Sequence, residues 1–239
     1  ELVQEAEAQK TAFCFNESQE VVRCAHVVSL RVLRRARVSS SSRFLVTLGK
    51  WRGGRIEPVC KMPGARPRGA ERSAMVVQRI LQDKMWPIAD HVELAGEMEH
   101  LGSTTASSKS GLVTTRYSQV QGARLSSSLS EMPNVSLIKP RRHSLKPSLS
   151  RSLSAHGLTT QASVPAIDWS DWAPMLMASR SYVKLYVWMT EEEFDTWSVV
   201  DATALRRLVG QFFVNEDMVQ ECFEQRKPDF PSCPTRFSI

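Results

Sequence analysis

Met62-Pro63-Gly64-Ala65-Arg66-Pro67-Arg68-Gly69-Ala70-Glu71-Arg72-Ser73-Ala74-Met75-Val76-Val77-Gln78-Arg79-Ile80-Leu81-Gln82-Asp83-Lys84-Met85-Trp86-Pro87 holds a turn, a helix and a stop in direct succession. Pro63-Gly64 makes a tight turn. From Glu71 to Met85, Ala74, Val77, Leu81 and Met85 recur at steps of three, four and four, which predicts a helix over 71–85 with those four residues on its buried face. Pro87, which has no N–H and a fixed φ, stops it, and Trp86 packs under its end as a core or rim aromatic.

On either side of that helix the period changes from helical to alternating. Upstream, Val27 to Arg34 is rich in β-branched residues and reads as a half-exposed strand. Ser39 to Ser42 make a turn, and Phe44 to Leu48 form a second strand that pairs with the first as a hairpin. Gly49, Gly53 and Gly54 punctuate the chain after it, and Ile56 to Met62 is a third strand interrupted by Pro58. Downstream, His91 to Leu94 and Leu112 to Gln121 supply further strands.

This order of strand, hairpin, strand, Pro-Gly turn, helix and strand resembles the core of the Nudix hydrolases. Their box reads G-x5-E-x7-R-E-U-x-E-E-x-G-U, with U a bulky aliphatic residue. Met62-Pro63-Gly64 is similar to the entry into that box, Glu71 and Arg79 are separated by the seven residues it requires, and Leu81 fills the aliphatic position after the arginine. Gly64 to Glu71 is one residue too long. The resemblance implies a mixed sheet flanked by helices, a nucleotide-shaped groove and Mg²⁺ or Mn²⁺ held on the box helix by clustered carboxylates. The residues that would supply those carboxylates are missing. Ile80 stands for the Glu after the arginine, Asp83-Lys84 for the Glu-Glu pair and Trp86 for the later Gly. One carboxylate with a lysine beside it does not assemble a divalent site. Glu71 at a helix start and an exposed Arg79–Asp83 pair four residues apart also have a purely structural reading.

The charge is unevenly distributed. The 239 residues carry a net +6, yet residues 103–163 hold eight Lys/Arg against one acid, Glu131, and are serine-rich with little aromatic content. Such a segment buries too little apolar surface to offset the roughly 1–2 kcal/mol of backbone entropy per residue, so 123–163 is expected to be disordered. Within it Arg141-Arg142-His143-Ser144 resembles substrates of basophilic kinases, and Ser152 and Ser154 follow Arg151. Four or so phosphates of about −1.5 to −2 charge each would cancel the segment's excess. Without aromatic interleaving, zinc finger or RNA-recognition signature, specific nucleic-acid recognition is not expected.

Order resumes near Ile167. Asp168 to Trp172 reads as a capped turn with its indoles inward, and Ser181 to Met189 alternates Val183, Leu185, Val187 and Met189 against Tyr182, Lys184, Tyr186 and Trp188 as a strand covered on both faces. Thr190 and Glu193 form a capping box, Asp201 caps a helix bearing Leu205, Leu208, Val209 and Phe212, and Asn215 starts a last helix before Pro228. Glu191-Glu192-Glu193 would lie near a groove rim, although a first helical turn favours acids without any metal.

The five cysteines are scattered with no C-x-x-C pair, which predicts reduced thiols in an intracellular, cytoplasmic protein. The histidines assemble no metal set. No Walker loop, dinucleotide fingerprint or Gly-x-Ser-x-Gly is present, and no apolar run approaches the ~18–20 residues of a membrane span. The start at Glu1 without Met or a signal-peptide pattern suggests a fragment.

The sequence therefore predicts an α/β protein with a Nudix-like mixed sheet flanked by helices and interrupted by a serine-rich basic insertion. Residues 23–122 form its core, 123–163 a phosphorylatable linker, and 164–230 a strand plus helices that complete the same domain or, as the plain alternative, form a separate unit. The expected function is a non-catalytic binding or regulatory module controlled through Ser144, Ser152 and Ser154 by a basophilic protein kinase. Arg66, Arg68, Arg72 and Arg79 would meet a nucleotide diphosphate ligand, or the partner would be a protein surface. No cofactor and no metal are expected. Two alternatives stand beside it. One is an active Mg²⁺-dependent hydrolase of nucleoside diphosphate-linked compounds using Glu71, Asp83, Glu97 and Glu99. The other is an interaction scaffold that works through the linker.

Overall fold

The computed structural model describes residues 12–15, 18–34, 42–106, 113–126, 132, 135–138, 169–179, 182–212 and 214–225. In chain order the strands are β1 Ala12–Phe15, β2 Val21–Arg34, β3 Arg43–Arg52, β4 Arg55–Lys61, β5 Gly64–Ala65, β6 Val92–Leu94, β7 Glu99–Ala106, β8 Val113–Leu125, β9 Ser136–Leu137, β10 Met175–Ala178 and β11 Val183–Met189. The helices are α1 Ser73–Lys84, α2 Trp86–Ala89, α3 Trp169–Trp172, α4 Glu191–Val199, α5 Ala202–Val209 and α6 Glu216–Glu224.

All eleven strands join one mixed sheet, whose main path runs β6-β8-β2-β3-β11-β10-β9. β2 and β8 pair in parallel, a geometry that needs a long crossover, and α1 and α2 lie within that connection. β11 pairs antiparallel with β3, from Lys184 opposite Lys50 to Met189 opposite Phe44, so the strand near residue 185 lies in the same sheet as the one near 45. Within 123–163, Ser136–Leu137 add β9 to the edge of β10, and most of that stretch lies outside the described residues.

Alternation along β3 and β11 divides the interior in two. Phe44, Val46 and Leu48 with Val183, Leu185, Val187 and Met189 pack against Trp197, Leu205, Leu208, Val209 and Phe212 of the α4–α5 side. Leu45, Tyr186 and Trp188 face the other way, onto Val76, Val77, Ile80, Met85 and Ile88 of α1 and α2. Each such aliphatic side chain stabilises the fold by about 1.5–3 kcal/mol on burial.

Three local expectations are corrected. The partner that β3 meets through a tight turn is β4, because Gly53 and Gly54 both have positive φ (55° and 74°) and form the two-residue loop between Arg52 and Arg55. β2 meets β3 only at Leu33–Phe44 and Arg34–Arg43, and residues 39–41 of the expected turn lie outside the described residues. Pro58 does not interrupt β4, since it pairs with Gly49 beside a bulge. The buried face of α1 is turned from the expected stripe. Val76, Val77 and Ile80 are buried and Ala74 is exposed, because the larger aliphatic residues take the sheet-facing positions.

At the C-terminal end all three caps form as read. The Thr190–Glu193 capping box closes reciprocally, and Asp201 and Asn215 accept from Ala204 and Met218 N–H. Glu193 does not sit at a rim. It is buried, accepting from Arg43 Nη1 at 2.7 Å and from Trp172 Nε1 at 3.1 Å, while Arg43 Nη2 donates to Asp171 at 3.2 Å. The cysteines are less scattered in space than in sequence, for Cys14 and Cys24 bring their sulfurs 2.9 Å apart across β1 and β2. Among the described residues no helix is long and apolar enough to cross a membrane.

Candidate anion-binding site

Glu71 lies just ahead of α1, and Arg79 two turns into it, and the two close on each other. Arg79 donates from Nε to Glu71 Oε1 at 2.9 Å and from Nη2 to Oε2 at 2.7 Å, and Nη2 also donates to the Arg66 carbonyl at 2.8 Å. The Arg68 N–H donates to Glu71 Oε2 at 2.9 Å. A bidentate, largely buried pair of this kind fixes a loop onto a helix. The bond from Arg79 holds the Glu71 carboxyl below its usual range, and Glu71 in turn raises the Arg79 guanidinium. Arg79 is thus held by a Glu71–Arg79 clasp, and Asp83, the expected partner four residues on, also acts on it electrostatically.

The residues present do not fit a divalent ion. Ile80, at the position of the Glu after the arginine, is fully buried in the core, and both Glu71 oxygens accept from Arg79. Lys84, at the second position of the Glu-Glu pair, donates its ammonium to the Gly64 carbonyl. Glu97 and Glu99 are exposed, as is Glu93. Among the described residues no group of three or more His, Cys, Asp or Glu is placed to hold a metal ion.

Cations gather there instead. Lys184 on β11 pairs in register with Lys50 on β3, and Thr47 of β3 pairs with both Lys61 of β4 and Tyr186 of β11. Lys50 and Lys184 lie 4.3 and 5.3 Å from the Tyr182 ring centre, and Lys184 lies 5.9 Å from that of Tyr186. The Tyr186 hydroxyl donates to the Lys84 carbonyl at 3.3 Å, which ties the end of α1 to this row. Lys184 is 8% exposed, and among the described residues no carboxylate pairs with it, with Lys50 or with Lys61. Like charges opposite one another on adjacent strands repel.

Burial, reinforced by Lys84, Lys61 and Lys50, pushes Lys184 down to about 7. Burial, with Arg79 and Lys61 beside it and Asp83 opposing, pushes Lys84 down to about 8. The more exposed Lys61 is lowered too, by desolvation and then by Arg116, Arg66 and Lys50. Three ammonium groups, Lys50, Lys61 and Lys184, thus lack a carboxylate partner among the described residues, with Lys84 beside them under the influence of Asp83, and an anion is the natural complement of such a row.

Of the arginines expected at a ligand, Arg79 is committed to Glu71, and Arg66 supplies a carbonyl to it. Arg68 and Arg72 are exposed at the start of the helix. Ser144, Ser152 and Ser154 lie outside the described residues. Lys50, Lys61, Lys84 and Lys184 do not stand out as ligand groups in the sequence. The available signal was Lys184, a cation on a strand whose neighbours on both faces are apolar or aromatic.

The sheet order, the helix packed within the β2–β8 crossover and the Glu71–Arg79 clasp give a mixed α/β sheet flanked by helices, the architecture that the resemblance to the Nudix hydrolases implies. No family model matches the sequence, and no curated protein does. Among solved structures the chain is similar to RenU, a Nudix hydrolase from M. smegmatis, at 12% identity over 49% of this chain and 72% of that one, with a TM-score of 0.32. It is similar to the C. elegans Ap4A hydrolase at 12% identity over 42% of this chain and 67% of that one, with a TM-score of 0.30. It is also similar to T. brucei MERS1 in its apo form, at 22% identity over 40% of this chain and 38% of that one, with a TM-score of 0.25.

Proposed function

We propose that this chain is a non-catalytic binding module that holds the phosphates of a nucleoside diphosphate-type ligand on lysines, without a metal ion. The observation that carries the reading is the convergence of Lys50, Lys61, Lys84 and Lys184 at the end of the box helix, with Lys184 buried and unmatched by a carboxylate among the described residues. Each ammonium supplies positive charge and directed N–H donors to phosphate oxygens, which is the service a bound cation and its carboxylates render elsewhere. The low-pKa members of the cluster are lysines that a bound anion would hold in the protonated form, with protons taken up from solvent, which disfavours their use as bases to activate water.

The serine-rich stretch is proposed as the control element. Phosphate on Ser144, Ser152 or Ser154 by a basophilic kinase would lower the positive charge of residues 103–163 and offer the lysines a competing anion.

Calorimetric titration with ADP and pyrophosphate in the presence of a chelator tests the reading. Binding is expected to persist without divalent cations and to weaken at least tenfold in Lys84→Met and in Lys184→Met. Mg²⁺-dependent turnover of ADP or ADP-ribose would overturn it in favour of the hydrolase using Glu71, Asp83, Glu97 and Glu99. Partner binding retained by a 103–163 peptide, with no anion bound by the folded part, would favour the scaffold.

A further inference from the structure

Two thiols meet at the start of the sheet, away from the lysines. In the pairing of β1 with β2, Ala12 stands opposite Cys24 and Cys14 opposite Val22, so the two cysteines are diagonal neighbours on one face. Long-enough side chains at such positions reach each other across a twisted pair of strands, and here the sulfurs lie 2.9 Å apart. Bonded sulfurs lie about 2.0 Å apart, so the pair needs only a small approach to become a disulfide. Cys14 is exposed and Cys24 half-buried, whereas Cys222 is buried with its thiol donating to Ser136 Oγ at 3.5 Å.

The strand that carries Cys14 has little else to hold it. All four residues of β1 are exposed, Phe15 at 68% among them, so its pairing with Val21–Cys24 is backed by little apolar burial. Among the described residues β1 pairs with β2 alone. The connection between the two strands includes Gln19 at φ 61°, a left-handed conformation that L side chains disfavour. Segments with few buried contacts are the first to open, and a covalent link there changes their attachment most.

We propose that Cys14 and Cys24 are a reversible redox site, at which a low-molecular-weight disulfide of the glutathione class oxidises the pair to a cystine that staples β1 onto β2. The proposal is independent of the anion-binding reading. Cys14, the exposed thiol, attacks as its thiolate, joining one sulfur of the small disulfide and releasing the other half as a thiol. Cys24 then gives its proton to solvent, attacks the Cys14 sulfur and expels the second small thiol. The protein loses two electrons, and one small disulfide becomes two thiols. Cys24 is pushed up to about 11, first by burial and then by the hydrogen bond and charge of Cys14. The last two causes disappear once Cys14 is in the mixed disulfide, which eases the ionisation that the second step needs.

Arg23 separates the two cysteines in sequence, so trypsin places them on different peptides, Thr11–Arg23 and Cys24–Arg31. The full chain is equilibrated with oxidised glutathione, alkylated and digested without reductant. These two peptides are expected to run as one linked species, to separate when excess reduced glutathione precedes alkylation, and to stay separate in Cys24→Ser, where Cys14 instead carries glutathione. Amide hydrogen exchange over 12–15 should slow about tenfold or more in the oxidised wild type relative to the reduced one. A wild-type map in which Cys14 is joined to glutathione, to Cys60, Cys222 or Cys233, or to a second chain overturns the proposal. So does a linked pair that reduced glutathione does not open, or one that leaves exchange over 12–15 unaltered.

Discussion

Stability that climbs with pH through the neutral range is the sharpest expected signature of the lysine row. Lys184 has an ordinary value of 10.5 and sits at about 7 in the fold, under the influence of burial and of Lys84, Lys61 and Lys50. Tyr182 and Tyr186 face it from its own strand. Because the folded value is depressed, the unfolded chain binds more protons between the two values. Stability is therefore greatest above the unfolded pKa and is lost as pH falls toward 7. From about pH 7 to about pH 9 the unfolded ammonium stays charged while the folded one goes from half charged to neutral, so Lys184 adds roughly 2 kcal/mol across that window, and Lys84, at about 8, adds roughly 1. Above about pH 9 this gain is increasingly opposed, because burial raises Cys60 to about 12 and burial with Cys14 raises Cys24 to about 11, so their thiols ionise first in the unfolded chain. Urea unfolding followed by tryptophan fluorescence, with Trp172 and Trp188 fully buried, reads this directly. Wild type should gain about 3 kcal/mol between pH 7 and 9, while Lys184→Met should keep roughly 1 kcal/mol of that slope and be about 1–4 kcal/mol more stable at pH 7. A flat or falling wild-type profile, or an unchanged slope in Lys184→Met, would show that the row is not a set of buried, mutually repelling cations.

Three other outcomes are expected from the same geometry. Binding of pyrophosphate near pH 8 should draw about one to two protons from solution as Lys184 and Lys84 recharge, seen as a dependence of calorimetric heat on the ionisation enthalpy of the buffer. Arg79→Ala, which strands the buried Glu71 carboxylate, should cost about 3 kcal/mol in urea unfolding, and Arg79→Lys should not restore it because an ammonium cannot grip both oxygens. Thr190→Ala removes the hydroxyl that accepts from Glu193 N–H and should cost about 1 kcal/mol, measured the same way.

What could be read in the sequence was whatever is written locally. The capping residues Thr190, Asp201 and Asn215, the alternation of Val183 to Met189 and the spacing of Glu71 from Arg79 each depend on a few neighbouring side chains, and each appears in the fold. Pairings set by tertiary context were less legible. Opposite β11, the other edge of β3 is shared by two neighbours, and nothing local distinguishes β2 from β4 as the one it turns back on, apart from the two glycines whose positive φ closes the loop. The rotation of α1 was missed because Ala74 fits a helical stripe by position but is too small to define which side faces the sheet. The site was legible only as a lack. Departures from the box at Ile80 and Lys84 argued that a metal was not expected, but the arrival of Lys50, Lys61 and Lys184 from three strands requires the register of β3, β4 and β11.

Arg43 and Glu193 are bonded across 150 residues, and β3 receives its neighbour β11 only after everything between them has been synthesised. On the ribosome, Phe44, Val46 and Leu48 must therefore wait without the strand and helices that cover them in the finished protein. Closing so long a loop is slow compared with local hairpins. Chains cut short before residue 183 would expose an apolar strand edge of the kind that chaperones bind and that seeds aggregation.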